Sequence, residues 1–177
     1  MSLIGILESK VKRAGLGALY LRVFPNWCIT SNLDWHKGGR IVVAWRSEDM
    51  YVDILTCSSQ LIHVFVNPRS GAAFHCTFVY GSTDQRERLL LFQQLNDISK
   101  SVGGLWLVMG DFNNVANLNE RHGVPVRLHE IQPLRDRMAN CDIHDLHYNG
   151  RFYTWSNKQV GERRVMSKID IVLSNDY

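Results

Sequence analysis

The chain has 177 residues, of which 45% are hydrophobic and 21% charged, and a formal net charge of +3. This composition excludes a disordered chain and supplies core for one domain but not two comfortable ones, so residues 1–177 are expected to form a single unit. A small positive balance suits a polyanionic partner without requiring one, and no apolar run approaches the ~18 residues of a membrane span.

In chain order, MSLIGILESK enters an apolar run at once, as if the chain began inside a domain, with no signal peptide before it. Residues 4–7 read as a short buried strand ending at Glu8, and residues 11–23 as a weak helix interrupted by Gly15 and Gly17. Strand-like segments follow at 27–30, 39–45, 51–57, 60–66 and 73–80, punctuated by Gly-Gly, Asn-Pro and Ser-Gly. The period then changes, with Leu91, Leu95 and Ile98 marking one face of a helix over about 85–100. A fully apolar strand at 105–109 comes next, then a helix carrying Leu128, Ile131, Leu134, Met138 and Cys141 on one stripe. Strand character returns in FYTW (152–155) and KIDIVLS (168–174). Antiparallel-looking strands with interposed helices predict an α/β protein of layered sheets. The cysteines at 28, 57, 76 and 141 form no CxxC pair, which argues against a zinc knuckle and for buried thiols in a reduced, intracellular protein.

Several polar residues stand at or within these strands. Asp111 and Asn113 follow the apolar strand and Gly110, where a plain turn and a functional site compete as explanations. Glu8 ends the first strand, as a surface acid or as an oxygen ligand for a hard cation such as Mg²⁺. Asp170 interrupts a strand-like run, on the face opposite Ile169 and Ile171, although strands disfavour Asp. Tyr80 ends FHCTFVY, either as a half-buried aromatic or as a hydroxyl donor to phosphate. His144 and His147 with Asp142 and Asp145 imitate a metal cluster but lack HExxH spacing, so a solvated segment is expected. Basic groups Lys10-Lys12-Arg13 and Arg163-Arg164-Lys168 flank two of the acids, either tracking a phosphate backbone or simply exposed.

Taken together, LESK (7–10), TFVYGST (77–83), LVMGDFNNV (107–115), FYTWSN (152–157) and SKIDIVLSN (167–175) resemble the endonuclease/exonuclease/phosphatase superfamily, whose members include DNase I. GGRIVVAW, ERHGVPVR and FYTWSNKQ are similar to connecting segments in the endonuclease domain of plant LINE-type (non-LTR) retrotransposons. The resemblance implies a two-layer β-sandwich flanked by helices, with the site at one rim, and Mg²⁺-assisted (or Mn²⁺-assisted) phosphodiester hydrolysis on DNA. It implies that Glu8 binds the metal, that Asp111 activates water, and that Asn113 fixes that geometry. It also implies that Tyr80 donates to a phosphate oxygen and Asp170 orients a histidine, with Trp155, Lys10, Arg163 and Arg164 along the DNA. A nuclear setting and a parent protein carrying a reverse transcriptase belong to the same resemblance.

Four departures bear on activity. The family's first Asn-bearing strand and its closing Ser-Asp-His are not matched, Thr83 replaces an Asn, and Ile171 stands where the subgroup has Arg. The expectation is therefore a domain incomplete at both terminal strands and impaired in catalysis. The alternatives are a small-phosphoester phosphatase of the same superfamily and a non-catalytic remnant that binds nucleic acid.

Overall fold

The computed structural model describes residues 1–36, 38–146 and 149–175. Along the chain, β1 (Leu3–Leu7), α1 (Arg13–Val23), β2 (Cys28–Ser31) and β3 (Ile41–Trp45) come first. A meander of β4 (Met50–Cys57), β5 (Leu61–Pro68) and β6 (Phe74–Tyr80) follows, then α2 (Gln85–Ser99) and β7 (Trp106–Asp111). The remaining elements are β8 (Arg121–His122), α3 (Leu128–Asn140), β9 (His144–Asp145), β10 (Trp155–Ser156), β11 (Met166–Ser167) and β12 (Asp170–Ser174).

These strands build a six-stranded sheet in the order β4-β5-β6-β7-β12-β9, a three-stranded sheet β1-β3-β2, and a short ribbon β10-β11-β8. All pairs are antiparallel except β6 and β7. A parallel pair needs a crossover, and α2 supplies it. Asp84 caps that helix by accepting from the amides of Arg86 and Glu87.

Alternation along the strands sends side chains to two cores. Ile41 and Val43 of β3, with Leu3 and Leu7 of β1, pack on Val64, Val66, Cys76 and Phe78 of the large sheet. Gly5 lets these layers close: a Cβ there would lie 2.3 Å from the Phe78 ring. On the opposite face, Leu91, Phe92, Leu95 and Ile98 of α2 and Leu134 of α3 cover Val79, Trp106, Val108, Ile171 and Leu173. The result is the expected sandwich of two sheets with helices on the outer face.

Local details differ from the sequence-based expectation. Helix α1 buries none of its residues, so it rides on the surface. Leu128 heads the apolar stripe of α3 yet is 61% exposed, because the first turn overhangs the core. Strand β5 continues through Asn67 to Pro68, which pairs with Met50 at the start of β4, where a missing N–H is tolerated. FYTW is strand only at Trp155, and KIDIVLS only from Asp170 onward. All four cysteines are unpaired; Cys76 and Cys141 are buried, and Cys28 and Cys57 partly so. No helix among the described residues is long and apolar enough to cross a membrane.

Candidate active site

Strand β7 leaves the core at Gly110, whose φ of 143° and near contact with Val79 O, 2.0 Å from where a Cβ would stand, exclude a side chain. Asp111 follows, and one of its carboxylate oxygens accepts the backbone N–H of Asn113 at 2.7 Å. Asn113 takes a left-handed conformation with φ of 46°, and its side-chain amide donates to Gly81 O at 2.7 Å. The turn is therefore present, and it leaves the second Asp111 carboxylate oxygen outside that bond. The Asx turn holds Asp111 in place, and Phe112 plugs fully into the core beneath it while its N–H donates to Ile169 O at 2.9 Å.

Strand register does the rest. Asp111 lies directly opposite Tyr80 of β6 on one side and Asp170 of β12 on the other. Directly opposed residues share a face, and here it is the face turned toward the small sheet. Glu8, just past β1 with φ of 52°, approaches from that second layer. Its carboxylate lies 3.1 Å from Lys10 and 4.0 Å from Arg40, whose guanidinium stands 5.3 Å from the centre of the Tyr80 ring. Glu8, Tyr80, Asp111, Asn113 and Asp170 thus gather at one rim of the sandwich.

The charges at this rim feel one another. Burial pushes the Asp111 carboxyl up to about 6; the Asn113 amide and Arg88 oppose the rise, while Asp170 and Glu8 add to it. The Tyr80 phenol is raised by burial and by Glu8 and Asp111, against the pull of Arg40. It therefore stays protonated, a donor, at any working pH.

Thr154, Arg88 and Glu120 were not singled out from sequence, and Lys168 was read only as one of a basic group. The Thr154 hydroxyl accepts from the amides of both Ile169 and Asp170 at 3.1 Å, tying the YTW element to Asp170. Arg88 of α2 donates to Ser82 O at 2.6 Å beside the Tyr80 strand end. Lys168, expected with the exposed basic groups, is instead buried, paired with Glu120 at 3.3 Å and with Asp145. Glu120 in turn accepts from the amides of Ala116 and Asn117 at 2.7 and 2.9 Å, anchoring the loop that leaves Asp111. The available signal was a lysine inside an apolar strand-like run, the same anomaly that marked Asp170.

The other candidates scatter more widely. Lys10 joins the rim through Glu8. Trp155, 45% exposed, shares a surface groove with Arg151, Phe152, Tyr153 and Arg164. Arg163 is exposed and its carbonyl accepts from Asn157 at 2.9 Å. His144 pairs with Asp142 at 3.5 Å on the surface, and His147 lies outside the described residues.

No protein-family model matches the sequence, and no curated protein does. Solved structures do. The endonuclease domain of TRAS1, a telomere-specific non-LTR retrotransposon, superposes with a TM-score of 0.74 at 13% identity, over 99% of this chain and 72% of that one. A 3′ phosphatase from Neisseria, bound to a product DNA hairpin, gives 0.69 at 15% identity over 99% and 76%. An AP endonuclease from Archaeoglobus fulgidus gives 0.68 at 16% over 98% and 76%. The chain has the DNase I-like fold. The likeness extends over nearly all of the chain and is one of architecture, since identities of 13–16% are shared with proteins of differing substrate.

Proposed function

We propose that this DNase I-like domain hydrolyses phosphodiester bonds in DNA with the help of Mg²⁺. The observation that carries the proposal is the row Tyr80–Asp111–Asp170 across three adjoining strands, faced by Glu8 from the second sheet. The similar structures include a retrotransposon endonuclease domain, a 3′ phosphatase bound to a DNA hairpin and an AP endonuclease, which favours DNA over a small phosphoester.

Asp111 serves as the general base. A carboxylate raised to about 6 is ionised at neutral pH yet basic enough to take a proton from water as its oxygen attacks phosphorus. The electron pair of the breaking P–O bond leaves with the departing deoxyribose oxygen, which takes up a proton from solvent. Tyr80, held protonated, donates to a non-bridging oxygen, where negative charge grows. Asn113 fixes the loop that aims Asp111. Lys10, Arg163, Arg164 and the exposed Trp155 form the surrounding DNA-binding surface in this proposal.

The residues fit a hard cation. Glu8 and Asp170 bring carboxylate charge near Asp111, adding to the burial that lifts it, and a divalent ion offsets charge of this kind. Among the described residues there is no ready cluster of three or more His, Cys, Asp or Glu ligands, so Glu8 with Asp170 would hold Mg²⁺ together with phosphate oxygens and water. The bound ion would supply charge to stabilise the pentavalent phosphorus oxygens. Affinity for Mg²⁺ without nucleic acid is accordingly weak, since Lys10 and Arg40 compete for Glu8.

Turnover by these 177 residues is proposed to be slow. They contain no Ser-Asp-His, and losing one preorganised charge-stabilising group costs ~10²–10³ in rate. The test is single-turnover cleavage of a labelled DNA duplex by excess protein, with Mg²⁺ or EDTA, across pH. A Mg²⁺-dependent rate that climbs about tenfold per unit at acid pH and levels by about pH 6, and that Asp111→Asn removes, is expected. Cleavage indifferent to Asp111→Asn would refute the assignment.

A further inference from the structure

Arg40 has a fixed backbone at the same rim, and the catalytic scheme gives it no contact with substrate. Its backbone N–H donates to the Asn32 side chain at 3.0 Å, and its carbonyl accepts from Ser9 N–H at 3.3 Å. Asn32 is itself fully buried, accepting also from Ile41 N–H and donating to the carbonyls of Ser58 and Ser59. One amide thus clamps three loops and fixes the base of the Arg40 side chain. The guanidinium rests 5.3 Å from the centre of the Tyr80 ring and 4.0 Å from a Glu8 oxygen, beyond hydrogen-bonding reach. Its Nε is buried and has no hydrogen-bond partner among the described residues. A buried donor left unsatisfied is costly, and with Nε enclosed it is the terminal guanidinium nitrogens that remain to meet an anion.

The surroundings identify that anion. Beside Arg40 and Tyr80 opens a recess of about 450 Å³, lined also by His36, Ser59, Gln60, Ser82, Thr83, Glu87 and Leu90, within the size range of small-ligand sites. Gln60 is committed, its amide donating to Glu87 O at 2.9 Å and its oxygen accepting from Ser82 N–H at 2.6 Å. Glu87 accepts from the Ser82 hydroxyl at 2.7 Å. The recess therefore presents the Arg40 guanidinium with the Ser59 and Thr83 hydroxyls, its carboxylate, Glu87, being engaged by Ser82, and a phosphate there gains charge-assisted hydrogen bonds from Arg40.

We propose that Arg40 binds a phosphate of the nucleic-acid strand neighbouring the scissile one, on the Tyr80 side of the rim, with the adjoining nucleotide in the recess. The inference rests on the proposed DNA hydrolysis. It makes Arg40 a substrate-binding residue with no part in proton transfer. A purely structural arginine, present only to offset Glu8, would alter stability and leave strand binding unchanged.

The experiment is fluorescence anisotropy of a labelled single-stranded oligonucleotide with the 177-residue chain, in EDTA and in Mg²⁺, over a range of salt. Arg40→Gln should weaken binding about five- to tenfold at low salt and reduce the slope of log K against log salt by ~0.7, the share of one phosphate contact. Arg40→Lys should restore the slope and only part of the affinity, because a point charge replaces the fork. Arg40→Met, which keeps the aliphatic stem, serves if the glutamine variant melts early. An unchanged slope in Arg40→Gln and Arg40→Met overturns the inference while leaving DNA hydrolysis standing. Arg40-dependent binding with no Asp111-dependent cleavage overturns the hydrolysis and keeps Arg40 as a phosphate ligand. A wild-type chain that binds no oligonucleotide at low salt overturns both.

Discussion

Burial suits Asp111 to base catalysis and at the same time makes the folded state less stable at neutral pH. Between its ordinary value of 3.8 and about 6, the folded chain keeps a proton on Asp111 that the unfolded chain has released. Stability therefore falls as pH rises through that window and stays lower above it. The charge at neutral pH is repelled by Asp170 and Glu8 and only partly offset by Asn113 N–H and Arg88. Asp111→Asn keeps an acceptor for the Asn113 amide and removes the charge. The variant should be more stable than wild type by ~1–2 kcal/mol at pH 7, with the difference closing as pH falls below about 4. Paired denaturant melts at pH 7 and pH 4 measure this, and equal midpoints at pH 7 would show that Asp111 carries no such penalty. A group proposed for catalysis that costs stability is the expected trade.

At the scale of elements, the loop between β7 and β8 is held by a charge network. Lys168, between the ribbon and β12, bridges Glu120 and Asp145, and Glu120 caps the amides of Ala116 and Asn117. Lys168 and Glu120 are only 4% and 3% exposed. Breaking a buried pair from one side leaves a charge stranded, at a cost of ~3 kcal/mol. Lys168→Met should lower stability by about that amount and speed amide exchange over residues 112–117, read by hydrogen-exchange mass spectrometry. Unchanged protection there would mean that the pair does not support the site loop. This network also shows where sequence reading stops. Asp-x-Asn after an apolar strand, Glu8 at a strand end and Asp170 inside one were legible, because each breaks a local pattern. Their adjacency was not, since Asp111 meets Tyr80 through a parallel pairing across α2 and meets Asp170 from a strand almost sixty residues downstream. Such register follows from tertiary packing. Arg40 was hidden for the same reason: it precedes an ordinary strand, and only the stacking of the two sheets puts it against Tyr80 and Glu8.

Across the whole molecule, the two faces of the large sheet respond to acid in opposite senses. On the helix-covered face, His63 is buried, its Nδ1 2.8 Å from the Thr77 hydroxyl, which also accepts from Trp106 Nε1 at 2.8 Å. Its other nitrogen meets His75 Nδ1 at 3.3 Å across nearly parallel rings. Trp106 uses an acceptor site on Thr77, so the Thr77 proton is free to point at His63, and the His63 Nε2–H then points at His75. The chain is satisfied with both rings neutral. Burial, with His75 adding repulsion, lowers the His63 pKa from 6.5 to about 4. As pH falls from 6.5 to 4, the unfolded chain takes up a proton that folded His63 refuses, so stability is full above 6.5 and is lost through that window. Asp111 has the opposite slope over much of the same range, and the two sites are separated: His63 pairs with Thr77 and Thr77 with Val108, three residues short of Asp111 and on the other face. Independent sites of this kind contribute additively. His63→Phe keeps an aromatic ring against His75 and removes the titration. Its unfolding free energy relative to wild type should improve by ~2–3 kcal/mol as pH falls from 7 to 4, whatever its absolute stability at pH 7. The double variant with Asp111→Asn should show the sum of the two single pH profiles. Urea melts at half-unit pH intervals test both statements, and a His63→Phe profile parallel to wild type would mean that the buried pair already carries its proton in the folded chain.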